Sequence, residues 1–124
     1  NTSDTFINVG EYVGKDHTRR LLETGGADIL NLRGLSSGRT TAELAYTYGR
    51  PLAVGYTPGD VGVHIGAALP EVTFIEWSNP GWAKLFDNPI TFKDGTAHVP
   101  DRPGHGLSLS DAAIERFGEL VLNH

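Results

Sequence analysis

The chain has 124 residues, 39% apolar and 9% aromatic, the size and makeup of one ordinary domain with a core to bury. Asp and Glu number 15 against 10 Lys and Arg, and the resulting net charge of −5, with no basic cluster longer than Arg19-Arg20, argues against nucleic acid or an anionic membrane surface as partner. Cysteine is absent, which excludes disulfides and thiolate chemistry, and no apolar run approaches the roughly 18 residues of a membrane span. With no signal peptide in view, the expected compartment is the cytoplasm.

Thr5-Phe6-Ile7-Asn8-Val9 reads as a strand ending at Gly10-Glu11. Asp16 is expected to cap a helix whose Leu21-Leu22 face stops at Gly25-Gly26, and Asp28-Ile29-Leu30-Asn31-Leu32 reads as a second strand with Arg33 at its exit. Thr40 to Tyr48 reads as a short helix stopped by Gly49. Leu52-Ala53-Val54 is a third strand, opening onto Gly55-Tyr56-Thr57-Pro58-Gly59. Val61 to Leu69 reads as a small-residue helix ended by Pro70, and Val72-Thr73-Phe74-Ile75 as a fourth strand delivering Glu76. Alternating β and α units imply parallel strands with right-handed crossovers, as in a (β/α) barrel or a doubly wound sheet.

After Glu76 the pattern changes. Ile90-Thr91-Phe92 and Thr96-Ala97-His98-Val99 flank Lys93-Asp94-Gly95, a strong hairpin signal. A Pro- and Gly-rich stretch, Pro100 to Gly106, leads to a last helix that Ser110 caps and Asp111 favours by its charge near the amino end. Residues 1–86 are thus expected to form βα units, and residues 87–124 a hairpin, a return loop and a helix.

The order of these pieces resembles the C-terminal part of the mandelate racemase and muconate lactonising branch of the enolase superfamily. The most specific part is the tail: Asp94-Gly95, then Val99-Pro100-Asp101-Arg102-Pro103-Gly104-His105-Gly106, then a short helix. Gly10-Glu11 and Gly26-Ala27-Asp28-Ile29-Leu30 are similar to the family's fifth and sixth barrel strands. Ala67-Ala68-Leu69-Pro70 and Phe74-Ile75-Glu76 are similar to its seventh helix and eighth strand. The resemblance implies an α/β fold: strands five to eight of a TIM-type barrel, followed by a hairpin and helix that pack on a capping domain. It also implies Mg²⁺ held by carboxylates at strand ends, a substrate carboxylate on that metal, and a base that removes the proton alpha to it.

On this resemblance Glu11 is the expected metal ligand, a hard oxygen donor of the kind Mg²⁺ prefers; the plainer alternative is a solvated loop Glu. Arg33 stands where the family places its base or the Asp supporting it. A guanidinium is effectively always protonated, so Arg33 suits clamping a carboxylate or enediolate rather than taking a proton; the alternative is a surface Arg ahead of a helix. Tyr56 stands where many members carry a His, and is expected to donate a hydrogen bond or to act as acid or base, against the plainer reading of an aromatic lining the barrel mouth. Glu76 matches the strand-eight carboxylate that touches substrate, against a plain strand-end Glu. Arg33, Tyr56 and Glu76 are thus the expected catalytic residues; His64 reads as structural, His105 as a return-loop residue with a site role as the lesser alternative, and His17 and His98 show no metal-site spacing.

The function implied is that of a C-terminal fragment or subunit of a Mg²⁺-dependent lyase acting on a small carboxylate, of the acid-sugar dehydratase type. The alternatives are a racemase or cycloisomerase of the same superfamily and a non-catalytic half-barrel assembly subunit. The expected partners are the complementary N-terminal part of the barrel with its capping domain and, for the full enzyme, further copies of itself.

Overall fold

The computed structural model describes residues 4–55, 61–77 and 81–119, which fall into two units, Asn1–Ser78 and Asn79–His124. Aliphatic runs make the four strands of the first unit: β1 (Asn8–Val9), β2 (Ile29–Leu32), β3 (Leu52–Val54) and β4 (Val72–Ile75). They lie in chain order, and every neighbouring pair is parallel. Sequential order with parallel pairing requires a crossover after each strand, and α1 (Lys15–Glu23), α2 (Gly34–Tyr48) and α3 (Gly62–Ala68) provide them.

One face of this sheet holds the core. Leu30, Leu32, Leu52 and Val54 are almost fully buried and cluster with Leu22, Ala27, Ala42, Ala45 and Ile65. Burying such side chains stabilises by about 1.5–3 kcal/mol each, before entropy is set against it. Because side chains alternate along a strand, Ile29, Asn31 and Ala53 belong to the opposite face, where Asn8 pairs with Ile29, Asn31 with Ala53, and Ala53 with Phe74. Phe74 is 65% exposed there.

Between Leu52 and Ala53 the register of β4 shifts: Leu52 pairs with Val72, but Ala53 pairs with Phe74. Thr73 is the extra residue of this bulge, and its hydroxyl donates to the Leu52 carbonyl at 3.1 Å. The shift lets both Val72 and Ile75 pack on the helix-side core, although they are an odd number of positions apart.

Three elements differ from the sequence expectation. β1 is two residues long rather than five, yet its pairing reaches back to Ile7, whose carbonyl accepts from the amides of Asp28 and Ile29. The N-cap of α1 is Gly14, so Asp16 lies inside the first turn, where its charge favours the helix dipole. Helix α2 begins at Gly34, six residues before Thr40, and ends at Gly49 in the left-handed conformation, φ 60°. Gly34, Ser36, Ser37 and Gly38 are poor helix formers, which masked its first turns in the sequence.

The first helical element of the second unit is a 3₁₀ turn, Trp82–Leu85. Strands β5 (Thr91–Lys93) and β6 (Thr96–His98) pair antiparallel around Asp94 and Gly95, whose φ values of 50° and 76° are those of the tight hairpin turn that Asp-Gly favours. Helix α4 (Asp111–Phe117) is capped as expected: the Ser110 hydroxyl accepts from the Ala113 amide at 3.2 Å. Its start is tied to the 3₁₀ turn, the Ser110 amide donating to the Leu85 carbonyl at 2.8 Å. In the return loop His105 Nδ1 accepts from the Leu107 amide, a loop-shaping role. Among the described residues no helix is long and apolar enough to cross a membrane.

Candidate active site

In a parallel sheet all carboxyl ends point the same way, so the residues following the strands gather along one rim. Here the rim carries Gly10-Glu11-Tyr12 after β1, Arg33 after β2, Gly55 after β3 and Glu76 after β4. Backbone bonds hold these exits together: the Gly55 amide donates to the Leu32 carbonyl at 2.9 Å, and the Glu76 amide to the Val54 carbonyl at 2.7 Å.

Arg33 joins the rim residues. Its Nη1 lies 3.3 Å from Glu11 Oε1, and its guanidinium stacks over the Tyr12 ring, 4.8 Å from the centroid. Both members of the ion pair are partly exposed, at 36% and 42% of their side-chain surface, so solvent screens their attraction. The pKa of Arg33 is raised, first by hydrogen bonding and electrostatic contact with Tyr12, with Glu11 and Glu76 adding to it against the opposing effect of burial. A raised guanidinium pKa leaves the charge, and the stability linked to it, fully present below the ordinary Arg value; it is lost only as pH rises through the raised one. Arg33 is therefore a fixed cation.

Below this rim Asn31 lies between the exits of β1 and β3. A Cβ on Gly10 would meet the Asn31 carbonyl at 2.6 Å, and one on Gly55 would meet Asn31 Oδ1 at 2.6 Å. Glycine at both positions lets the backbone close around this amide, and at Gly10 it also permits φ 139°. Asn31 Oδ1 is buried without a hydrogen-bond partner.

Of the residues expected from sequence, Glu11 and Arg33 are in direct contact, and Glu76 acts on Arg33 through space. Tyr56 lies outside the described residues. Sequence reasoning missed Tyr12 and Asn31. The available signals were an aromatic directly after Gly10-Glu11, and a polar residue interrupting the Ile-Leu-Asn-Leu run.

Whether the rim suits a divalent cation depends on its donors. Glu11 offers one hard oxygen, and among the described residues no three His, Cys, Asp or Glu side chains gather to hold a metal ion. Glu11 thus fits a Mg²⁺ site as one ligand of a set that other residues must complete.

A parallel sheet with crossover helices on one face and polar residues along its carboxyl rim is the architecture of a barrel enzyme's catalytic side. The enolase C-terminal domain-like family model matches residues 2–113, and the chain belongs to that family. The chain is similar to the 3,6-anhydro-alpha-L-galactonate cycloisomerase of Streptomyces coelicolor, 33% identical over 77% of this chain and 25% of that protein. It is also similar to the L-talarate/galactarate dehydratase of Salmonella typhimurium, 31% identical over 95% of this chain and 30% of that protein. Among solved structures, the L-talarate dehydratase of a Polaromonas species, complexed with Mg and L-glucarate, superimposes with a TM-score of 0.75 and 30% identity, over 92% of this chain and 33% of that one. The chain thus spans a third or less of the proteins it matches, and its fold is that of the C-terminal part of enolase-superfamily barrels.

Proposed function

We propose that this chain supplies the C-terminal side of the active site of a Mg²⁺-dependent enolase-superfamily lyase that removes the proton alpha to the carboxylate of an acid sugar and expels water. The observation that carries this reading is the fixed cation Arg33 at the rim beside Glu11, a pairing suited to an anionic, oxygen-rich substrate. The dehydratase names among the relatives support the substrate class.

In this reading Glu11 is one ligand of the metal, and the remaining ligands and the lysine base come from the complementary N-terminal part of the barrel. When bound, Mg²⁺ supplies Lewis-acid stabilisation of charge on the substrate carboxylate. Arg33 orients the substrate through bidentate hydrogen bonds to its carboxylate or hydroxyl oxygens and neutralises developing negative charge. Glu76 contacts the reacting end from β4, and Tyr56 is the further hydrogen-bond donor of the mouth. Arg33, always protonated, does not act as the base.

The test is to incubate the intact protein carrying this chain with Mg²⁺ and a library of acid sugars in D₂O, following α-proton exchange and loss of water by NMR and mass spectrometry. Loss of one water, with solvent deuterium taken up on carbon in the product, is the expected result; absence of both dehydration and α-proton exchange across the library overturns the enzyme reading. The cycloisomerase relative favours a second reading, in which the product keeps the mass of its substrate.

A further inference from the structure

Glu11 is at once the proposed metal ligand and the partner of a cation that cannot be deprotonated. Arg33 Nη1 stands 3.3 Å from Glu11 Oε1, on the carboxylate that a metal would need. Two features hold the guanidinium there. The Tyr12 ring lies beneath it, and Arg33 itself is the N-cap of α2 with an extended backbone, φ −124° and ψ 118°, which directs the chain out of β2 toward the rim. The first turn of α2 contains no acidic residue, so nothing in that turn offsets the positive charge at the helix start.

We propose that Arg33 is a built-in counter-cation of the metal ligand: it competes with the divalent ion for Glu11, and must release the carboxylate before the ion is held. This rests on the reading above that Glu11 is a metal ligand. The physical basis is twofold. A divalent ion entering beside a fixed guanidinium meets like-charge repulsion, and it takes the oxygen that the guanidinium was using. Because Arg33 keeps only part of its side chain buried, it has room to turn away, and once released its fork of donors is available for substrate oxygens. Metal loading and substrate recognition are then coupled through one side chain. Arg33 acts on the metal through Glu11, so toward the metal it is a positioning residue.

The experiment is titration calorimetry of Mg²⁺ into the intact protein carrying this chain, alongside its Arg33→Met, Arg33→Lys and Glu11→Gln variants, with folding checked by circular dichroism. Removing the charge in Arg33→Met should tighten Mg²⁺ binding about tenfold, Arg33→Lys should stay closer to the parent, and added salt should shrink the difference. If Glu11→Gln weakens Mg²⁺ binding while Arg33→Met leaves it unchanged or weaker, the competition is refuted and the ligand reading stands. If Glu11→Gln has no effect, or no protein binds Mg²⁺, the ligand reading falls and this inference falls with it. Should Arg33→Met fail to fold, Arg33→Gln answers the same question.

Discussion

The two faces of the four-stranded sheet follow different rules. On the helix side, Leu30, Leu52 and Val54 are fully buried among α1, α2 and α3, and the strands present only apolar side chains. The other face carries Asn8, Ile29, Asn31, Ala53 and Phe74, a mixture that includes Ala53 at 6% exposure and Phe74 at 65%. Parallel sheets are ordinarily covered on both faces. The contrast teaches that one face holds this chain together while the other is shaped for something brought to it: the remainder of a barrel, on the function proposed above.

Substitutions on the two faces should therefore separate by size. Leu52→Ala empties a fully buried site and should cost about 2–5 kcal/mol in urea unfolding of the chain; a loss below about 1 kcal/mol would erase the distinction between the faces. Gly55→Ala places a Cβ against Asn31 Oδ1 and should cost about 1–3 kcal/mol by the same measurement. Asn31→Leu removes a buried acceptor that has no partner, so it should be close to neutral, within about 1 kcal/mol, despite its depth. Smallest of all, Phe74→Ser should change the unfolding free energy in urea by less than about 0.5 kcal/mol, because the ring is mostly exposed in this chain. The same Phe74 change should weaken assembly with a complementary N-terminal half, measured by co-purification or analytical ultracentrifugation. Equal assembly with and without the ring would show that the open face is not where the barrel closes.

Much of the fold was readable from residues because each signal is local. Val72-Thr73-Phe74-Ile75 is β-branched and aromatic, Gly49 stops α2 in the left-handed conformation, and Asp94-Gly95 makes a turn of one type. What escaped depends on context. The first turns of α2 run through two glycines and two serines whose propensities point away from helix. At the rim, Glu11, Arg33 and Glu76 follow strands, so the strand pattern placed them there and the family resemblance singled them out. Tyr12 was not, since its role comes from stacking with Arg33, a residue 21 positions away. Asn31 looked like a lapse in an apolar run, and its significance depends on two glycines on neighbouring strands.

The bulge at Thr73 has a consequence of parity. Side chains alternate with a period of two, so one extra residue exchanges the faces for everything that follows it. By leaving Thr73 out of the ladder, the chain keeps Phe74 alongside Ala53 and, continuing the register, Glu76 alongside Gly55, instead of turning both toward the helices. A strand four residues long thus serves two clients of opposite parity, the core at Val72 and Ile75 and the rim at Glu76. Were Thr73 to pair with Ala53 instead of bulging, Phe74 and Glu76 would turn toward the helices, whereas deleting it outright would remove the bulge and keep Glu76 on its present side.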